Sequence, residues 1–191
     1  MGKIAFVFAG QGAQSVGMGK ELYDNFKSAR RIFELAGERI KSLCFDGPQE
    51  DLNLTVNTQP CLFAMDLAAA YVLNENGIFA DAVAGFSLGE IPALSYARML
   101  SDQAAFDLVC FRGERMHGCA QENKGVMFAV LKLSVEQIEE LCQKVGMAFP
   151  VNYNCPGQTV VACGEEVAEN FQKEVASAGG KTIQLAVSGA F

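Results

Sequence analysis

The chain has a single histidine, His117, in 191 residues, and no two cysteines are spaced as CxxC. The seven cysteines are odd in number and scattered, so neither a disulfide framework nor a zinc site finds the spacing it requires. Cys61, Cys110 and Cys163 lie in apolar surroundings and read as buried, reduced thiols of a cytoplasmic protein. No apolar run approaches the roughly 20 residues of a membrane-spanning helix. Met1-Gly2-Lys3 before "IAFVFAG" is too short for a signal peptide and lacks a small-residue cleavage pattern. Phe6 stands where a myristoylation signal needs Ser or Thr. Basic charge is also scarce: 15 Lys and Arg against 22 Asp and Glu give a net charge of −7, which argues against a general nucleic-acid surface. Repeats and low-complexity tracts are absent. What remains is a core-forming composition, 50% hydrophobic and 19% charged, of a length for one domain or a domain and a half.

Residues 3–8, "KIAFVF", read as a buried parallel strand that feeds the glycine loop "AGQGAQ". Helical spacing runs from about Met18 to Ile40 with a break near Asn25, and Pro48 and Asn53 mark a polar connection. "TQPCLFAMDLAAAYVLNENG" predicts a helix with Pro60 in its first turn and Gly77 at its stop, apolar on most sides and therefore buried. A second strand is predicted over 81–86, a helix from Leu88, and another from a Ser101 cap to about Ala120. After Gly125 the texture changes. "VMFAVLKL" is strand-like, Ser134 and Gln137 form a capping box before "VEQIEELCQKV", and "FPVNYN" and "QTVVAC" flank a Pro-Gly turn. A helix over 166–178 ends at Gly179-Gly180, and "KTIQLAV" closes as a strand. That order is β-α-β-β-α-β, the ferredoxin-like split unit.

Three local patterns carry chemistry. Gly85-Phe86-Ser87-Leu88-Gly89 places G-x-S-x-G between a predicted strand and a predicted helix, the setting of a nucleophile elbow. The same letters also suit a small-residue turn with an N-capping serine, and the pattern alone does not separate the two. Gly10-Gln11-Gly12 is either a tight turn or a loop donating backbone N–H groups to an oxyanion; Ser15 stands where a dinucleotide fingerprint needs glycine. Arg112 lies with Leu108 and Met116 at i, i+4, i+8 on a face that also carries Ala105 and Val109. An arginine in an apolar stripe needs an anion, snorkels, or forms a structural ion pair. If it needs an anion, its planar fork suits a substrate carboxylate.

Taken together, "FVFAGQGAQSVGMGKEL", "NTQPCLFA", "AGFSLGE", "RGERM", "VNYNCPGQTVVACG" and "LAVSGAF" resemble the malonyl-CoA:acyl carrier protein transacylase family, in the family's order and over nearly the whole chain. The resemblance implies an α/β fold. Residues 1–124 would be the N-terminal part of a hydrolase-like parallel-sheet core, 125–188 an inserted ferredoxin-like subdomain, and 189–191 the start of the return to the core. It implies that Ser87 takes malonyl from coenzyme A as an ester and passes it to the phosphopantetheine thiol of acyl carrier protein, in fatty acid biosynthesis. Gln11 and Leu88 would supply the oxyanion N–H groups, and Arg112 would hold the malonyl carboxylate. Met116, Met127, Asn152 and Asn154 would fall near the pocket. Malonyl-CoA would be a substrate, with no resident cofactor and no metal. Two positions depart from the family pattern: Phe86 replaces a histidine, and Ala9 replaces a common proline.

The base is the remaining question. His117 follows Arg112 by five residues, about 140° around a helix, and so points away if Arg112 faces the pocket. Family members place the catalytic histidine directly after "VSGAF", and Phe191 is the last residue here. The expectation is therefore an N-terminal portion lacking its base, severely impaired alone, with an exposed apolar margin that another chain could cover. A non-catalytic or carrier-binding fragment is the alternative in a second class. A patatin-like serine hydrolase is a third, disfavoured by Arg112 and "RGERM".

Overall fold

A computed structural model describes residues 2–185, 187 and 189–191. The chain divides into two compact units, Met1–Arg115 and Met116–Phe191.

In the first unit, β1 (Ala5–Phe8) pairs in parallel with β2 (Ala82–Gly85), Phe8 opposite Gly85. Between them run α1 (Lys20–Asn25), α2 (Lys27–Ala36), α3 (Glu38–Asp46), α4 (Gln49–Leu52) and α5 (Thr55–Glu75). The break foreseen near Asn25 falls at Phe26, which is extended at φ −126° and ψ 132°. The polar connection at Pro48 holds the short α4. After β2 come a 3-10 turn (Ser87–Gly89), α6 (Glu90–Tyr96) and, as far as Arg115, α7 (Asp102–Glu122), whose Ala104 N–H donates to the Ser101 hydroxyl at 3.1 Å.

The core of this unit forms around α5. Phe63, Ala64, Leu67 and Ala68 are fully buried against Ile32 and Phe33 of α2, Cys44 of α3 and Val109 of α7. Each such large side chain contributes about 1.5–3 kcal/mol. A polar cluster is buried with them. Asp102 accepts from Arg31, Tyr71 and Ser95, each at 2.8 Å. Burial alone would raise its carboxyl, but those donors outweigh it and hold Asp102 below the usual carboxylate value. One face of the two-stranded sheet stays open, with Val7 76% exposed.

The predicted helix around Pro60 needs one correction. It begins at Thr55, so Pro60 sits inside the helix and not in its first turn. Side chains hold the extra turn: Thr58 Oγ1 donates to Leu52 O at 2.6 Å and Asn57 Nδ2 to Asp51 O at 2.8 Å. They offset the bond that proline cannot make.

The second unit contains β3 (Gly125–Leu131), α8 (Val135–Val145), β4 (Ala148–Cys155), β5 (Gln158–Gly164), α9 (Ala168–Ser177) and β6 (Lys181–Gln184). The strands form one antiparallel sheet in the order β4-β5-β3-β6. The Ser134–Gln137 capping box is present with both bonds formed. Phe128, Val161, Ile138 and Phe171 fill the space between the sheet and its two helices. The last strand is shorter than "KTIQLAV"; Ala186 of that stretch lies outside the described residues.

Candidate active site

The site grows from the end of β2. Ser87 takes φ +53°, the left-handed region, which costs a residue with a Cβ about 1–2 kcal/mol. The glycines on either side show why the chain tolerates nothing larger. A Cβ on Gly85 would lie 2.1 Å from the Gly89 carbonyl carbon, and one on Gly89 would lie 2.2 Å from the Phe8 oxygen. The turn is therefore folded tightly back on the end of β1. Phe86 N–H donates to Phe8 O at 3.1 Å and Gly89 N–H to Phe86 O at 2.9 Å. This is the strained strand-to-helix elbow rather than an ordinary capped turn. It leaves the Ser87 side chain exposed and Leu88 buried behind it.

The loop after β1 lies beside the elbow. A Cβ on Gly10 would meet the Phe86 ring and the Phe86 oxygen, both at 2.7 Å, so this glycine is required by close approach. Gln11 is tied to α5 on both sides of its amide. Its Nε2 donates to Thr55 Oγ1 at 3.1 Å, and its Oε1 accepts from Gln59 Nε2 at 3.5 Å.

Gln59 continues the chain of contacts. Its Oε1 accepts from Arg112 Nη1 at 2.6 Å, and Arg112 Nη2 donates to Ser87 Oγ at 3.2 Å. α7 can come this close to α5 because Gly113 has no side chain; a Cβ there would be 3.1 Å from Gln59 Cβ. Burial lowers the Arg112 pKa, and the nearby Glu90 carboxylate only partly offsets this. Among the described residues, no ion pair at 4 Å or less is made by Arg112. A half-buried guanidinium without an ion-pair partner has the donor geometry to receive an anion.

Ser87, Gln11, Leu88 and Arg112 thus come together in one unit. Met116, Met127, Asn152 and Asn154 belong to the other. There Met116 is half-buried on α7, and Met127 is 6% exposed in a cluster with Ala129, Val160 and Ala162. Asn152 is half-buried on β4, and Asn154 is exposed and donates to Gln158 Oε1 at 2.9 Å. His117 is paired through Nε2 with the Gln121 side chain at 2.9 Å, while its Nδ1 is buried without a partner. Sequence reasoning missed Thr55 and Gln59. Their signal was the i, i+4 spacing of two polar residues at the start of a largely buried helix.

An α/β chain with a serine at a tight elbow, a glycine loop beside it and an arginine at the hydroxyl has the arrangement that serine-dependent acyl transfer requires. The comparisons agree: a family model described as "Acyl transferase domain" matches residues 5–191, and the chain belongs to that family. A malonyl CoA-acyl carrier protein transacylase of Bacillus subtilis (strain 168) is 41% identical over 202 residues, covering 100% of this chain and 63% of the relative. The crystal structure of a malonyl CoA-acyl carrier protein transacylase from Clostridium perfringens superposes with TM-score 0.92 at 36% identity, over 100% of this chain and 62% of that one. A malonyl-transacylase in complex with a type II PKS acyl-carrier protein gives TM-score 0.91 at 35% identity, over 99% and 64%. The chain therefore spans less than two thirds of the length of these proteins.

Proposed function

We propose that this chain is the nucleophile-bearing part of a malonyl-CoA:acyl carrier protein transacylase that acts in fatty acid biosynthesis. Ser87 Oγ attacks the malonyl thioester carbonyl, coenzyme A leaves as the thiol, and a serine ester remains. The phosphopantetheine thiol of acyl carrier protein then attacks that ester and frees Ser87. The Leu88 and Gln11 N–H groups stabilise the oxyanion in both steps. Loss of one such donor typically costs roughly 10²–10³ in rate. The hydroxyl also requires a proton acceptor, and Arg112 is only a donor.

One observation carries the reading: the anion-free Arg112 guanidinium hydrogen-bonds Ser87 Oγ. That bond supports reading Arg112 as a carboxylate receptor within one short acyl chain of the nucleophile, a role that would favour malonyl over acetyl. A site built around a charge rejects the analogue that leaves it unpaired. The relatives named malonyl CoA-acyl carrier protein transacylase, and the neighbour solved with an acyl-carrier protein, support the substrate and the acceptor.

The test is acyl transfer by the gene product carrying Arg112→Ala. Malonyl transfer is expected to fall roughly 10²-fold or more, with acetyl transfer changed far less. Equal losses for both acyl groups would overturn the assignment.

A further inference from the structure

Gln59 is a buried polar side chain, 1% exposed, set against the backbone of α7: a Cβ on Gly113 would lie 3.1 Å from Gln59 Cβ and 3.3 Å from Gln59 Cγ. Packing thus fixes its stem, and the chemistry of its neighbours fixes which way the amide faces. Arg112 can only donate, so the end that meets Nη1 at 2.6 Å must be the oxygen, Oε1. Nε2 is then turned toward the loop after β1, where it reaches Gln11 Oε1 at 3.5 Å, and Gln11 Nε2 donates onward to Thr55 Oγ1 at 3.1 Å. The guanidinium is therefore oriented by a neutral amide. A carboxylate in the same place would hold the fork at least as well, by a charge-assisted bond, but it would also cancel the charge. With the amide there, Nη2 donates to Ser87 Oγ at 3.2 Å. Among the described residues, no ion pair at 4 Å or less compensates the Arg112 charge.

We propose that Gln59 is a positioning residue that sets acyl selectivity: it anchors Arg112 beside Ser87 through a neutral acceptor, so that the guanidinium keeps its charge for the carboxylate of the acyl group. The selectivity rests on the transacylase reading; the pairing of Gln59 with Arg112 rests on the geometry alone. Gln59→Glu, nearly the same in shape, would supply an anion from within the fold. That carboxylate would occupy Arg112 and repel a substrate carboxylate arriving at the same fork, whereas acetyl carries no charge to be repelled.

The experiment compares Gln59→Glu with Gln59→Met in the gene product, each alone and combined with Arg112→Met. Both variants lose the Nε2 donor to Gln11, a loss that touches malonyl and acetyl alike and cancels in their ratio. Gln59→Glu is expected to lower the malonyl-to-acetyl ratio of kcat/KM roughly 10²-fold, with KM for malonyl-CoA rising. Gln59→Met removes the acceptor but leaves the charge, and should lower the ratio ~10-fold or less. A merely structural role predicts the opposite order, because Gln59→Glu keeps the shape and an acceptor oxygen. Thermal unfolding at pH 8 reads the pairing without activity. Gln59→Glu should lower Tm by at least about 5 °C more in the Arg112→Met background than in the parent, where the buried carboxylate has its partner. A ratio that falls no further in Gln59→Glu than in Gln59→Met, or an equal Tm change in both backgrounds, overturns the proposal and leaves the transacylase reading standing. Should Gln59→Glu fail to fold, Gln59→Met decides alone: a lowered acyl ratio supports the proposal and an unchanged one overturns it. A parent with no preference for malonyl overturns the transacylase reading and the selectivity with it, while the Tm comparison still decides whether Gln59 anchors Arg112.

Discussion

Replacing Ser87 by alanine and by glycine separates the serine's chemistry from the strain of its backbone. Both variants lose the hydroxyl and its 3.2 Å bond from Arg112, so that loss cancels between them. What differs is the Cβ at φ +53°. In an ordinary helix or strand, glycine is less stable than alanine by roughly 0.5–1 kcal/mol, because it loses more backbone freedom on folding. At a left-handed position the Cβ costs about 1–2 kcal/mol. The net expectation is that Ser87→Gly is more stable than Ser87→Ala by about 1 kcal/mol, a reversal of the usual order. For a chain of this size, that is about 2–4 °C in Tm. Parallel thermal and urea unfolding of the two variants reads it directly. A Ser87→Gly variant equal to or less stable than Ser87→Ala would refute the strained elbow, and with it the backbone argument for the proposed nucleophile.

Gly89→Ala should be far more damaging than either, because its Cβ would meet backbone oxygens at 2.2 Å and 2.7 Å that have no flexible end to swing away. A loss of about 3 kcal/mol or more is expected, or failure to fold, measured by urea unfolding. The Asp102 cluster sets an acid limb. With its carboxyl held below the usual value, its contribution is fully present above about pH 4 and is lost as pH falls through the folded-state value. Asp102→Asn should cost about 2–4 kcal/mol at pH 7 and show a shallower loss of stability below pH 4. A variant that loses stability on acidification as steeply as the parent would contradict this.

Much of the fold was legible because local rules and tertiary contacts agree. The continuous apolar runs of "VMFAVLKL" and "QTVVAC" became the central strands of a sheet whose core includes Phe128 and Val161. The Ser134 box marked the start of α8 because it is complete within four residues. The elbow was legible as G-x-S-x-G, but its strain was not, since a positive φ at Ser87 has no letter of its own. The start of α5 was misplaced because Pro60 is an ordinary first-turn residue by local rules. Contacts from Asn57 and Thr58 back to residues 51 and 52 override that rule. Gln59 was missed for a similar reason: its partners lie 48 and 53 residues away. Arg112 left its readings open in the sequence because helix spacing does not show its neighbours across the fold, Gln59 and Ser87.

The most direct test of the central claim is mass analysis of the gene product after brief incubation with malonyl-CoA and acid quench. One malonyl group per chain is expected, located on the peptide that carries Ser87, absent from Ser87→Ala, and discharged by the thiol of holo acyl carrier protein. An adduct on any other residue, or one that survives Ser87→Ala, would contradict it.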